Sequence, residues 1–366
     1  MNRIRTIDGW RGIAILLVIA DHLARHSRFN HQGWAILGFE GVDIFFVLSG
    51  YIITVRLLDE LDKSSTISLA RFYTRRAFRI LPLVVVYLTV LCVLSIFVNI
   101  DVNSSQIAGS LFFFRNYQLA ANLSGISTAH FWSLSIEEHF YLVWPLLLLC
   151  AGSRRALWLS LTGALTCGLW RLFDCTHPDN PIGRFLPGWD SGLRVFRTDA
   201  RVDGLLIGCA LAMLLARPSV HDFVLRNFPK ETPMLCGVLI LLKLEFANGY
   251  PVTLTNYVLI AISVASTLVV KDGLVYKWLN SRLLAGIGTI SFSLYVWQQL
   301  FLMQTADVHP LGRLSTFPYN LVCALVVASC SFYFIERPAV RLGRRLAALR
   351  VTLKDELSAS EEVRSA

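Results

Sequence analysis

The chain has 366 residues, of which 55% are hydrophobic and 16% charged, and its mean hydropathy is +0.55. Soluble domains carry about a quarter charged residues, so this composition excludes an ordinary soluble protein and reads as a polytopic membrane protein. The net charge of +9 does not point to nucleic acid, because no polar basic domain exists to present it.

Crossing a hydrocarbon core of about 30 Å takes roughly 20 apolar residues. In chain order such runs fall near 12–25, 39–58, 78–99, 131–150, 156–173, 200–216, 233–248, 252–270, 284–304 and 317–335. They predict an all-α membrane bundle of about ten transmembrane helices. The first run superficially resembles a signal peptide, but Asp21 and His22 stand where its apolar core should continue, so it reads as a retained span. Segment 107–121 is apolar but short and carries Arg115, which suits an interfacial or re-entrant piece. The connection 174–199 contains Pro178, Pro181 and Pro187 and reads equally as a lid or as a plain connector. Residues 1–345 form the transmembrane domain and 346–366 a polar tail, with no soluble domain expected at either end.

Lys and Arg set the orientation, because short cytoplasmic loops hold the excess positive charge. With the N-terminus inside, 24 of the 34 basic residues fall on the cytoplasmic side. Both termini are then cytoplasmic, as an even number of spans requires, in a multi-pass protein of the inner membrane among anionic lipids. The eight cysteines form no CxxC motif and indicate neither a disulfide framework nor a thiolate metal site. No clear GxxxG signal of self-association is read, so the oligomeric state is not legible.

Ionisable residues within apolar runs are costly and mark function. Arg11 and His22 are eleven residues apart, which returns them to within about 20° on one helical face and separates them by roughly 16 Å. If Arg11 marks the inner boundary, His22 lies just past mid-bilayer. In HFWSLSIEEHFYLVWP, Glu137 lies roughly 9 Å inside the outer boundary by the same rise, at a depth comparable to His22. Asp43 in GVDIFFVLSG and Arg201 with Asp203 in DARVDGLLIG fall in the first turns of spans entering from outside. At the inner boundary, RFYTRRAFRILP gathers Arg75, Arg76 and Arg79, with Arg75 and Arg79 at i, i+4.

The pattern is an inner anion site beneath an outer polar chamber. Guanidinium forks bind phosphates bidentately, and a histidine held by a carboxylate is suited to take a proton from a hydroxyl near neutral pH. A donor with a phosphorylated head and a long arm, such as a coenzyme A thioester, has the matching shape. No metal is expected: His26 and His31, which could join His22, fall in the expected external loop.

At these residues the sequence resembles the integral-membrane acyltransferase-3 family, which O-acylates sugars and other hydroxyl acceptors. The resemblance rests on RGIAILLVIADH, GVDIFFVLSGYII, RFYTRRAFRILP, FWSLSIEEHFYLVWP, DARVDGLLIG, ISFSLYVWQQ and FIERP, in order over residues 7 to 338. It implies acyl transfer from a cytosolic acyl-CoA, usually acetyl-CoA, to a glycan or glycolipid hydroxyl, by a member without a fused soluble domain. By motif position, His22 would be the base, Arg11 its companion, and Glu137 would serve the histidine or the acceptor. Arg75, Arg76 and Arg79 would bind the donor, with Asp43, Asp203, Arg201, Ser135 and Tyr295 on the acceptor side. Two positions depart from the family: Gln298 stands where many members have a histidine, and His139 where a neutral amide is expected. Two other readings stay open at this point: acylation of a small lipophilic acceptor on the cytoplasmic side, and proton-coupled transport or flipping of an anionic cargo.

Overall fold

The computed structural model describes residues 4–25, 37–98, 100, 102–123, 125–177, 195–246, 254–302 and 311–349. Its regular structure is helical, with no strand among the described residues. The main elements are α1 (Arg5–Arg25), α2 (Leu37–Ser64), α3 (Leu69–Phe97), α4 (Phe131–Thr176), α5 (Asp203–Leu215), α6 (Thr232–Phe246), α7 (Leu254–Val269), α8 (Arg282–Thr289) and α9 (Ser291–Leu302). A closing helix, α10, runs from Tyr319 to Leu349. Residues 350–366 of the expected tail, with His26 and His31 and positions 178–194 of the proline-rich connection, lie outside the described residues.

Four stretches are long and apolar enough to cross a membrane: α2, α3, Ile126–Thr176 containing α4, and α10. Shorter or more polar helices stand at the other five expected positions. A helix that is apolar all round must be enclosed or face lipid, and both solutions occur. Most of α2 is enclosed by protein, whereas α3 and α10 turn much of their apolar surface outward. Ile96 and Phe97, 76% and 78% exposed, are examples of that outward face.

Local chemistry sets the breaks. Within α4, Gly152 adopts φ 72° and ψ 164°, a conformation open to a residue without a side chain, between the two spans expected at 131–150 and 156–173. After α5 the chain turns by 97° into Pro218–Asn227, where Pro218 opens the new helix without wasting an amide donor. Segment 107–121 becomes the two short helices Ser104–Leu111 and Arg115–Ala120. Fully buried Arg115 ties them down by donating to Thr128 Oγ1 at 3.0 Å and to the carbonyls of Leu123 and Gly125 at 3.2 and 3.0 Å.

At the centre, α1 packs against α2, α8 and α9, and α2 crosses α5. The α2–α5 crossing is close because Gly50 faces the backbone of Leu205 and Cys209 while Gly208 faces that of Val47 and Tyr51. Gly204 and Gly208 are four residues apart, a small-xxx-small pair that serves packing within this chain. Gly204 lies against the Tyr257 ring. A methyl group at position 208 has no room against the backbone of α2. Gly208→Ala is therefore expected to destabilise the protein by about 1–3 kcal/mol and lower its melting temperature in detergent. Gly237→Ala, at a helical glycine with nothing within 4 Å, should leave it unchanged or slightly raised.

Candidate active site

Four segments bring arginines to one end of the bundle: the start of α1, the end of α2, the start of α3 and the last third of α10. They line a cavity of about 610 Å³ with Arg11, Arg56, Arg76, Arg79, Arg337, Arg341 and Arg344. Opposite stand three carboxylates, those of Asp8, Glu137 and Glu336. Seven cations against three anions leave the cavity strongly positive. None of the seven guanidiniums forms a hydrogen bond or salt bridge with another described residue. The arginines of α3 lie in its first turns, with no acidic residue in the first turn. That placement works against the helix dipole, which favours anions there.

The walls are organised around Glu137. Tyr141 donates a short hydrogen bond to Glu137 Oε2, and Ser49 Oγ donates to the same oxygen at 3.3 Å. The Arg76 guanidinium lies over the Tyr141 ring, 4.4 Å from its centroid, a cation–π arrangement that fixes the guanidinium without neutralising it. Glu336 enters through a π-helical turn, Phe332–Glu336, inside the closing helix, and its Oε2 accepts from Ser293 Oγ at 2.7 Å. Such turns insert an extra residue and recur at functional sites. Further in, Ser133 Oγ and Tyr295 Oη lie 2.6 Å apart, and Tyr295 also donates to the His130 carbonyl at 2.7 Å.

His22 stands opposite Gln298 on α9, three residues after Tyr295. Its Nδ1 is 2.6 Å from Gln298 Oε1. An amide oxygen only accepts, so a proton on Nδ1 makes this contact a hydrogen bond, and Nε2 has Asp21 Oδ2 at 3.9 Å. The hydrogen bonds of Glu137 therefore run to Ser49 and Tyr141, on the cavity side, and that of His22 runs to the residue standing where many family members have histidine. His139 Nδ1 is 2.7 Å from Thr198 Oγ1, away from the cavity.

The remaining candidate residues occupy a second, enclosed cluster. Asp43 and Arg201 are fully buried and joined at 2.7 Å. Asp203, also fully buried, is held by Arg171 at 2.8 Å. Arg171 donates in addition to the Ala200 carbonyl at 2.7 Å. Phe39, Phe46 and Trp132 surround the Arg201 guanidinium with ring centroids 5.3–5.9 Å away. Beside them Asn256 donates to Glu40 at 2.7 Å. Ser135 is buried and donates back to the Phe131 carbonyl at 2.9 Å, and it is Ser133 that faces the cavity. Arg75 lines an adjoining cavity with Arg76 and Arg79.

Sequence reading reached Arg11, Arg76, Arg79, Glu137 and Tyr295 but missed Ser49, Tyr141, Ser133, Glu336 and the α10 arginines. The signal available for Glu336 was an acidic residue closing an apolar run in FIERP. Arg337, Arg341 and Arg344 were legible only as basic residues of the inner rim.

Paired and unpaired arginines should respond oppositely to truncation. Arg171→Ala leaves the Asp203 carboxylate buried without its cation and is expected to cost about 3–5 kcal/mol. Arg79→Ala relieves repulsion among unpaired cations and should leave stability unchanged or raised. Thermal unfolding of both variants in detergent checks the contrast.

No solved structure matches this chain significantly. It is 29% identical to the peptidoglycan O-acetyltransferase OatA of Listeria monocytogenes over 92% of its own length and 56% of that protein's. It is 27% identical to the O-acetyltransferase OatA of Staphylococcus aureus, over 96% of this chain and 60% of that protein. The chain thus spans a little over half the length of these relatives. The acyltransferase domain model of the acyltransferase-3 family matches residues 4–336, which takes in the buried Arg171–Arg201 cluster, Arg11, Arg56, Arg76 and Arg79 of the cavity and the His22 helix, and the chain belongs to that family.

Proposed function

We propose that this chain is an O-acyltransferase of the cytoplasmic membrane that moves an acetyl group from acetyl-CoA to a hydroxyl of a cell-wall or lipid-linked glycan. The observation carrying this reading is the set of guanidiniums without a described ion-pair partner around a cavity that Tyr295 lines, on the helix whose Gln298 meets the His22 imidazole. Family membership and relatives named as peptidoglycan O-acetyltransferases support O-acetylation of a glycan. The positive-inside bias supports a cytoplasmic placement of the arginine rim.

In this reading the arginines take the phosphates of the donor, as guanidinium forks do. The uncharged pantetheine arm runs inward past Val42, Phe45 and Leu48. The Ser133–Tyr295 hydroxyl pair stands between the cavity and His22, and it parts to let the thioester reach the imidazole. His22 Nε2 then takes the proton of the acceptor hydroxyl as that oxygen attacks the thioester carbonyl. The C–S bond breaks, and the departing thiolate takes up the proton. Gln298 holds the tautomer that leaves Nε2 basic, and Arg11 draws the donor toward the same helix. Glu137 acts as a positioning residue through Ser49, Tyr141 and the stacked Arg76. Asp43, Arg201 and Asp203 clamp α2, α4 and α5 together around this path.

The test uses purified protein in detergent with radiolabelled acetyl-CoA and membrane lipids carrying glycans. His22→Ala should lower label transfer about 10²- to 10⁴-fold, the range of a general base, and Arg11→Ala should raise the KM for donor. Turnover without a gradient separates the enzyme from a transporter. Unchanged transfer by His22→Ala would overturn the mechanism.

A further inference from the structure

Two short elements form an exposed flank at the end of the bundle where α1 begins. Pro218–Asn227 leaves α5 at 97° and so runs across the bundle end instead of through it, resting on α7. Its Val224 is buried, while Phe223 and Leu225 are exposed. Leu274–Leu279 follows α7 and leads into α8. Here Leu279 and Leu284 are buried, whereas Leu274, Trp278 and Leu283 stand 82%, 58% and 76% exposed. The two elements adjoin, because Gly273 lies against Lys230. Cations are spaced among these apolar side chains: Arg217, Arg226, Lys230, Lys271, Lys277 and Arg282 are all exposed. None of the six lines either arginine cavity. The carboxylates of the same stretches are Asp222, Glu231 and Asp272, so cations outnumber anions two to one.

Bulky apolar side chains interleaved with Lys and Arg, on elements lying across a bundle end, suit a membrane interface: the apolar groups enter the acyl boundary and the cations meet headgroups. A zwitterionic surface meets the first need but not the second, since its charge sums to zero, whereas each basic residue gains from an anionic leaflet. We infer that this flank is a binding site for anionic phospholipid headgroups in the leaflet at the arginine-lined end. The site also reaches α1. Thr6 and Asn280 exchange hydrogen bonds of 3.3 and 3.1 Å. Gly9 and Gly12 meet the backbone of Leu279 and Leu284, and Trp10 donates to Thr267 on α7 at 2.9 Å. Lipid that pins residues 271–283 therefore braces the first turns of α1, on which Arg11 sits.

The experiment reconstitutes the full chain in phosphatidylcholine vesicles containing brominated phosphatidylglycerol or, at the same mole fraction, brominated phosphatidylcholine, and reads tryptophan quenching. The chain has nine tryptophans, so the Trp278 signal is the difference between wild type and Trp278→Phe. Wild type should favour phosphatidylglycerol at Trp278 about fivefold or more, the worth of one basic residue at an anionic surface, and the preference should shrink as salt rises. Combined Lys271→Gln, Lys277→Gln and Arg282→Gln should bring the two lipids to within about twofold. Retained quenching by brominated phosphatidylcholine shows that this variant still places Trp278 in the bilayer. Phosphatidylglycerol should also raise the thermal midpoint of wild type and not that of the triple variant; a preference without that rise overturns the bracing of α1. Equal quenching of wild type by the two lipids overturns the lipid site. So does quenching by neither, which leaves the flank to water or to another polypeptide. Loss of the preference to inorganic phosphate at constant ionic strength identifies a free-anion site and overturns it as well.

Discussion

Charge in a low-dielectric interior must be matched, and how each arginine meets that demand organises this molecule. Isolated ions lose several kcal/mol on leaving water, and among helices in a membrane nothing but a partner or an aqueous cavity restores it. Arg115, Arg171, Arg197 and Arg201 meet the demand internally: all are buried, and each is tied to a carboxylate, a hydroxyl or backbone carbonyls. The seven arginines of the main cavity do the opposite: they line a shared void and form no hydrogen bond or salt bridge with a described residue, with Arg76 stacked on the Tyr141 ring. The first group converts charge into rigidity by linking α2, α4, α5 and the segment before α5. The second keeps repulsive charge in one place, and the paired scaffold around it prevents the helix ends from spreading.

That division explains the remaining polar side chains. Carboxylates that could neutralise the inner arginines are present but committed elsewhere: Glu137 to Tyr141 and Ser49, and Glu336 to Ser293. They lower the local potential without closing any guanidinium off from an anion. The π-helical turn serves the same end, since an extra residue in α10 brings Glu336 inward while Arg337, Arg341 and Arg344 keep lining the cavity on the following turns. His22 lies apart from this charge, in contact with a neutral amide and with Asp21 close by. Ser133 and Tyr295 line the cavity and His22 does not, so the anion site and the proposed base are distinct places in the bundle.

The helical architecture was legible in the sequence because hydrophobic run length speaks directly to membrane physics, and the grouping of Arg76 and Arg79 with Arg11 around one cavity followed charge position. The break between the two halves of α4 could be placed near Arg154 and Arg155, and the structure bends at Gly152. Depth along single helices also carried information: Arg11 lines the cavity while His22, eleven residues on in the same helix, does not. Azimuth did not. Ser133 and Ser135 are two residues apart and face different ways, and only the neighbouring helices decide which meets the cavity. Asp43, Arg201 and Asp203 were recognisable as costly intramembrane charges, yet only Asp43 and Arg201 pair with each other, and the partner of Asp203 is Arg171, 32 residues away and on another helix. The Gly204–Gly208 spacing was not read as a signal, and its packing partner, Gly50, is distant in sequence.

The central claim is that an anionic acyl donor enters from the arginine-lined end and the acyl group reaches His22 through the bundle. It is tested most directly with the protein reconstituted in one orientation in sealed vesicles, giving radiolabelled acetyl-CoA on one side at a time to a lipid-linked glycan acceptor in the bilayer. The account predicts labelled glycan only when acetyl-CoA is on the side of the N-terminal arginine rim. Labelling only from the opposite side, or equally from both, would contradict it.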